Sequence, residues 1–417
     1  MRARVAAAAA IAGGLLAGGT AASMGQLTER PLSGALAHPA IGYYTRPARD
    51  LVSALNRSVE EGSVQLPFDE TTGYLRSVLT ALRVPVDSQM LVMSKTGIQA
   101  LHTSPANPRA IFFNDAVTIG YIRGAPLLEL AVQDPEQGVL FYTIEQKPQA
   151  RPLIERRPAC LSCHQNYSTL HVPGVLARSV FMAPDGVPLS QFGSYDADDR
   201  TPLRRRWGGW YVTGRAGAIP HMGNAVVTDR EKREAIVSDR ALHRIAPDAL
   251  FDGQGYLSAE SDIAALMVFQ HQAHMMNLIT RAGWEARMHA GPLGDTVHEL
   301  VDYLLFVDEE PLTAAVTGRS GFAERFAAQG PADSRGRSLR QLDLEHRLLK
   351  YPCSFLIYSA AFRALPDEVR GAIYERMWDV LAGRDAAPKY ARLAESDRRA
   401  VTEILKETLP DLPSSLR

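Results

Sequence analysis

The motif Cys-Leu-Ser-Cys-His at residues 160–164 constrains this chain more than any other feature. The spacing C-x-x-C-H is the attachment signature of a c-type haem. Two thiols this close in sequence can add across the two vinyl groups of one porphyrin, and the histidine after the second thiol can then ligate the iron. The chain has only three cysteines, so the motif does not come from a cysteine-rich background. We therefore expect one covalent haem c, attached at Cys160 and Cys163, with His164 as the proximal iron ligand.

Two other uses of the same cysteines remain open. A C-x-x-C pair can be a redox dithiol, although a dithiol needs no histidine after it. A structural zinc site needs four ligands, and His171 or Cys353 could join Cys160 and Cys163. The sequence favours haem c over both alternatives.

The N-terminus predicts export. Residues 1–4 are short and positive, residues 5–17 form an apolar run, and residues 18–23 are small and end in Ala-x-Ser. This pattern is typical of a secretory signal peptide, here residues 1–23, and the apolar run is too short and glycine-rich for a spanning helix. Haem c is attached outside the cytoplasm in bacteria, so the two features agree. We expect a periplasmic protein.

Composition excludes several classes of function. The 417 residues predict two or three domains. The net charge is −1, so the chain lacks the excess of basic residues that is typical of nucleic-acid-binding proteins. Beyond the signal peptide, no apolar run reaches the length of about 18 residues that a membrane span needs.

The pattern of hydrophobic residues predicts an α+β fold in three parts after the signal peptide. Residues 24–150 predict a small antiparallel sheet with two helices, 151–228 a loop-rich haem-binding segment, and 229–417 a mainly helical domain. The helices of the first part are expected near residues 49–59 and 74–82, and its strands near 89–93, 110–113, 117–122, 127–132 and 139–144. In the helical part, Ser258 is the expected N-cap of the longest helix. The helices there are expected at 260–289, 294–306, 321–328, 339–349, 355–363, 366–381 and 395–405.

The side of the iron opposite His164 decides the function, because a sixth protein ligand favours electron transfer and an open side permits binding of small molecules. The turn at 219–224 carries His221 and Met222 in consecutive positions. His271 and His274 lie three residues apart on the longest helix, hence on one face. Any of these four could be the distal ligand. The alternatives are a surface turn, core-edge histidines, and a second metal site on the helix.

Arginines near the motif could bind the haem propionates, because a guanidinium forms bidentate hydrogen bonds with a carboxylate. The candidates are Arg156, Arg157, Arg178 and the run Arg204-Arg205-Arg206. Two tryptophans separated by Gly208 and Gly209 follow that run and could pack on porphyrin. Cys353 is expected to be a small buried hydrophobe.

The motif behind a signal peptide resembles c-type cytochromes. The haem segment, the Arg-Trp-Gly-Gly-Trp-Tyr run, the His-Met-Gly-Asn turn and the Tyr-Pro-Cys-Ser segment are similar to large exported single-haem cytochrome-like proteins of environmental bacteria, a group without an assigned reaction. The resemblance implies thioether bonds at Cys160 and Cys163 and proximal ligation by His164. It implies nothing for the distal side. The chain is much longer than small soluble cytochromes, which suggests more than electron carriage.

Two functions are consistent with these patterns. The first is electron transfer with a periplasmic redox partner protein, which predicts a strong sixth ligand. The second is a haem-dependent oxidoreductase that acts on peroxide or another small substrate, with an open distal side and His271, His274 or His221 as general acid–base. The sequence favours the first, and a gas or redox sensor is a weaker third option.

Overall fold

The fold is α+β, as predicted. The predicted signal peptide lies outside the described residues, and the predicted domain boundaries stay predictions. The backbone alone is described for 242–244. In all, the computed structural model describes residues 32, 34–231, 242–244, 251–410 and 412–413.

The N-terminal part is a six-stranded antiparallel sheet in which each strand pairs with the next along the chain. The five predicted strands are present, and a sixth short strand lies in the segment that the sequence had predicted to be loop-rich. Two helices precede the sheet, α1 (Leu51–Glu60) and α2 (Leu75–Ala81). The strands are β1 (Met90–Val92), β2 (Arg109–Phe113), β3 (Val117–Tyr121), β4 (Leu127–Asp134), β5 (Gly138–Glu145) and β6 (Ile154–Arg156).

The two faces of the sheet have different environments. Along β4, Leu128 and Leu130 are buried in the core that includes α1 and α2. Glu129 and Ala131, which alternate with them along the strand, are only half-buried. Successive side chains of a strand point to opposite faces, so this alternation shows that only one face is fully covered by the N-terminal helices. Helix α1 starts where the Asp50 carboxylate accepts hydrogen bonds from two backbone N–H groups of its first turn.

The middle part consists of short elements joined by loops, as the sequence predicted. The motif forms a 3₁₀ turn, Pro158–Cys160, followed by the short helix α3 (Leu161–His164). Two small antiparallel pairs follow. They are β7 (Arg178–Val180) with β8 (Ser194–Asp196), and β9 (Ala225–Val227) with β10 (Leu242–Arg244).

Helix α4 (Ile263–Arg287) dominates the C-terminal half. All but three of its 25 residues are buried, so it is covered on every side. It shares one hydrophobic core with residues on the sheet face opposite the N-terminal helices and with the helices that follow. Those helices are α5 (Gly294–Leu304), α6 (Phe322–Ala327), α7 (Ala360–Arg363), α8 (Asp367–Leu381) and α9 (Glu395–Thr408).

The predicted helix at 339–349 is wrong. The Asp343 carboxylate accepts hydrogen bonds from the backbone N–H groups of Glu345 and His346, and this local bonding replaces helical bonds. Leu344 has a φ of 60°, which a right-handed helix does not allow. The predicted helix at 355–363 is divided into a 3₁₀ turn, Phe355–Tyr358, and the short α7, because extended backbone at Ser359 separates them.

In the part of the chain that the structure describes, no helix combines the length and apolar character needed to cross a bilayer.

The N-cap of α4 is Asp262 and not Ser258. The fully buried Asp262 carboxylate accepts from the N–H groups of Ala264 and Ala265, and its second oxygen accepts from those of Arg319 and Ser320. This one side chain therefore starts the helix and fixes a distant loop.

We predict that Asp262→Ala lowers the free energy of unfolding by about 2–4 kcal/mol, because a cap is lost and buried N–H groups lose their acceptor. The matched control Ser258→Ala should stay within about 0.5 kcal/mol of the parent. Urea denaturation measures both, and equal losses would contradict this assignment of the cap.

Candidate functional site

The three functional side chains of the motif line a single cavity. It has a volume of about 270 Å³, is partly open to solvent, and lies between the less covered sheet face and the motif segment. This volume is close to the lower end of ligand pockets, which span about 300–1000 Å³. The sheet side of the cavity is formed by Arg109, Ile111, Thr118, Gly120, Glu129, Ala131, Phe141 and Thr143.

Strand register explains the space. Gly120 of β3 pairs with Ile111 of β2 on one side and with Glu129 of β4 on the other, so these residues share a face. A Cβ at Gly120 would lie 3.4 Å from Glu129 Oε2, within the tight range of van der Waals contact. Small residues at the centre of this face leave room for a flat ligand.

The local fold of the motif brings its functional side chains together. Cys160, Cys163 and His164 follow one another at i, i+3 and i+4 through a helical turn, and therefore lie on one side of it. Leu161 is buried in the core with the N-terminal helices and anchors the turn. Cys163 is exposed. Burial, and after it the nearby Glu129 carboxylate, raises the pKa of the Cys160 thiol to about 11.

The imidazole of His164 is held in the form that a metal ligand needs. Its Nδ1 lies 2.9 Å from the backbone oxygen of Gly174, a contact in which only the ring N–H can donate. Burial lowers the pKa of His164, and the cations Arg109 and Arg178 lower it further against the opposing effect of the Gly174 bond. The ring is therefore neutral with its proton on Nδ1, and Nε2 keeps a free lone pair. Such a second hydrogen bond is the usual support of a metal-binding histidine.

Helix α4 positions the loop that supports His164. Asn277 Nδ2 donates to the backbone oxygen of Val175 at 3.0 Å, and the buried Arg281 donates to that of Leu170 at 3.0 Å. A Cβ on Gly174 would overlap Asn277 Oδ1, so only glycine permits this close approach.

These residues fit a covalent haem c: two thiols, one imidazole with a free nitrogen, and a smooth sheet face meet in one cavity. Among the described residues, no group of three or more His, Cys, Asp or Glu side chains is arranged as a metal site, and the zinc alternative stays a prediction. Cys353 is fully buried in the helical core, where burial raises the pKa of its thiol.

His271 is buried with both ring nitrogens engaged. Nδ1 lies 3.2 Å from Asp199 Oδ2 and Nε2 lies 2.7 Å from Ser354 Oγ, while Tyr303 and Phe306 stack on the ring. The bonding order Asp–His–Ser is that of a hydrolase triad. His271 and Ser354 have no exposed surface, and Ser354 also caps the turn Phe355–Tyr358. The arrangement therefore ties three segments together.

His274 also has its accepting nitrogen occupied. Nε2 lies 2.9 Å from an Arg200 nitrogen, and because a guanidinium only donates, Nε2 must accept. Burial lowers the pKa of His274, as does the positive charge of Arg200, so the ring stays neutral. Arg200 in turn is paired with Asp198 and Glu299. His274 lines a neighbouring cavity that shares only Val175 and Leu176 with the cavity that contains the motif.

The residues of the predicted turn lie outside the cavity lining. Met222 is buried in a small separate core, where its sulfur accepts from Ser179 Oγ at 3.6 Å. His221 accepts from the N–H of Gly223 and packs against Trp207. None of the four predicted distal candidates therefore lines the cavity that contains the motif.

Four of the six arginines predicted to bind propionates have protein partners. Arg178 bonds Asp196 and Ser168, and Arg157 bonds Thr143 and Glu155. Arg156 donates to the backbone oxygen of Tyr43, and the buried Arg206 donates to those of Thr201 and Asp199. Both tryptophans of the Trp-Gly-Gly-Trp run are buried in the main core and do not line the cavity.

Sequence reasoning missed the two charged residues of the cavity, Arg109 and Glu129. The signal that could have found them is a charged residue at alternating positions of otherwise apolar strands, on the face away from the N-terminal helices.

No protein-family model, curated protein or solved structure matches this chain.

We predict that the buried neutral His274 makes the protein less stable in acid. The pKa of His274 is lower in the folded protein than in the unfolded chain. The contribution of His274 to the free energy of unfolding is therefore fully present above the unfolded pKa of about 6.5. As the pH falls through that value, the unfolded chain binds a proton that the folded protein does not, and the stability decreases. The variant His274→Gln keeps an acceptor for Arg200 but cannot be protonated. It should therefore reduce the difference between the unfolding free energies measured about one pH unit above and about one pH unit below that pKa. His346→Gln, at an exposed histidine, is the control. An unchanged difference in His274→Gln would contradict this assignment.

Proposed function

We propose that this protein is an exported c-type cytochrome that carries one covalent haem and works in periplasmic redox chemistry. Cys160 and Cys163 would hold the porphyrin through thioether bonds, and His164 would bind the iron through Nε2. The observation that carries the proposal is the meeting of these three side chains in one cavity, with the imidazole already neutral and fixed through Nδ1.

The chain's own residues would seat and orient this group. Phe141, whose ring centroid lies 4.9 Å from that of His164, limits rotation of the imidazole. Gly120 and Ala131 add little or no side-chain volume to the sheet face, so this face leaves space for the porphyrin. The apolar side chains of Leu176 and Phe269 also line the cavity. When bound, the haem would supply one-electron redox chemistry.

The surface around the cavity supports electron transfer to a partner protein. Cys163 is exposed, so the attached edge of the haem would be near solvent. Ile98, on the cavity lining, is 56% exposed, and Leu101 in the following turn is 97% exposed. Exposed apolar side chains beside a redox centre suit a transient contact with another protein.

The cavity lining also favours the second candidate, an oxidoreductase with an open distal side. Apart from the three motif residues, the described side chains that line the cavity include no histidine, methionine, cysteine or lysine. These are the types that would complete six-coordination. A sixth position left to water or substrate is what catalysis requires.

We predict that the protein, matured in a host competent for haem attachment, shows a haem absorption band that survives denaturation. Cys160→Ser and Cys163→Ser should weaken or abolish covalent attachment, because each removes one thioether. Cys353→Ala is the matched control and should keep the haem, because this third cysteine lies in the helical core. The absence of haem from the parent protein would contradict the proposal.

The same spectra, recorded with carbon monoxide on the reduced protein, decide between the two candidates. A shift on addition of carbon monoxide supports the open distal side. Sharp low-spin bands without response support a six-coordinate carrier.

A further inference from the structure

Arg109 and Glu129 are the only permanently charged side chains on the lining of the haem-site cavity in the described part of the chain. They lie on β2 and β4, which flank Gly120 of β3. Because Gly120 has no side chain, the two long side chains approach each other above it: Gly120 is near both Glu129 and the Cδ of Arg109. The pair thus forms a polar spot on a mostly apolar wall.

The facing groups of this pair have unused hydrogen-bonding capacity. Arg109 Nη1 and Glu129 Oε2 are 3.6 Å apart, longer than a hydrogen bond. The guanidinium of Arg109 makes no hydrogen bond to any described residue, and its Nε is buried without a partner. Glu129 is oriented through its other oxygen, Oε1, which accepts from Gln99 Nε2 at 2.8 Å. Apart from their mutual ion pair, the terminal nitrogens of Arg109 and Glu129 Oε2 can therefore bond a molecule in the cavity.

The pair is close enough to the motif to act on what binds there. Arg109 is one of the cations that influence His164, and Glu129 is the carboxylate that influences Cys160. Both side chains are about one-fifth exposed, so their interactions are weakly screened. A role as propionate clamp fits Arg109 alone, but the carboxylate of Glu129 beside it would repel a propionate.

We propose that Arg109 and Glu129 bind a small weak acid, HX, such as hydrogen peroxide or hydrogen cyanide. The inference rests on the proposed haem and its open distal side. The Glu129 carboxylate accepts the proton of HX and becomes a neutral carboxylic acid, so the H–X bond breaks and its electron pair stays on X. The anion X⁻ would then receive charge-assisted hydrogen bonds from Arg109. The charge of the site is unchanged by the transfer.

Cyanide and carbon monoxide test this assignment on the matured protein. Cyanide enters as the weak acid and must lose its proton, whereas carbon monoxide has none. Glu129→Gln should slow cyanide association near neutral pH by about 10²-fold, the usual contribution of a positioned base. Arg109→Leu should weaken cyanide binding by about tenfold, because charge-assisted hydrogen bonds to the anion are lost. Neither should change the affinity for carbon monoxide.

The controls separate this inference from the proposed function. Glu155→Gln removes an exposed carboxylate of β6 and should bind cyanide like the parent. The inference would be overturned if cyanide binding were unchanged in both cavity variants. It would also be overturned if the variants lost cyanide and carbon monoxide binding equally, or if the haem of the parent protein bound neither ligand. A change in reduction potential alone in Arg109→Leu would overturn it in favour of a propionate contact. Absence of haem from the parent overturns the proposed function itself.

Discussion

The structure depends on one long buried helix, α4, whose polar side chains each bond a different segment of the chain. Asp262 fixes the loop before α6, His271 joins Asp199 to Ser354, and Asn277 and Arg281 hold the loop beside the motif. A buried polar group without a partner costs about 1–3 kcal/mol, so each bond selects one arrangement of its segment. The helix thereby sets the distance between the sheet and the motif, and with it the shape of the cavity.

This dependence separates the roles of histidines that look alike in sequence. His164 bonds through Nδ1 to a carbonyl and keeps Nε2 free, which suits a metal ligand. His271 uses both nitrogens within the protein, and His274 gives Nε2 to Arg200. The local bonding thus favours His164 as the proposed iron ligand and indicates a structural role for His271 and His274.

The sequence allowed much of the fold to be predicted, because the strands are β-branched or aromatic runs separated by turn residues and several helices carry one apolar stripe. It failed at 339–349, where a local turn around Asp343 replaces helical hydrogen bonds, and at the start of α4, where Ser258 and Asp262 are both reasonable caps. At the site, only contiguous residues could be predicted. Arg109 and Glu129 are 20 positions apart by number, and strand register alone brings them together above Gly120.

The most direct test of the account is a crystal structure of the haem-matured protein with iron located by anomalous scattering. We predict one iron at bonding distance from His164 Nε2, with the porphyrin attached at Cys160 and Cys163 and lying against the face that carries Gly120. Iron bound at His271 or His274, or a cavity filled by a metal other than haem iron, would contradict it.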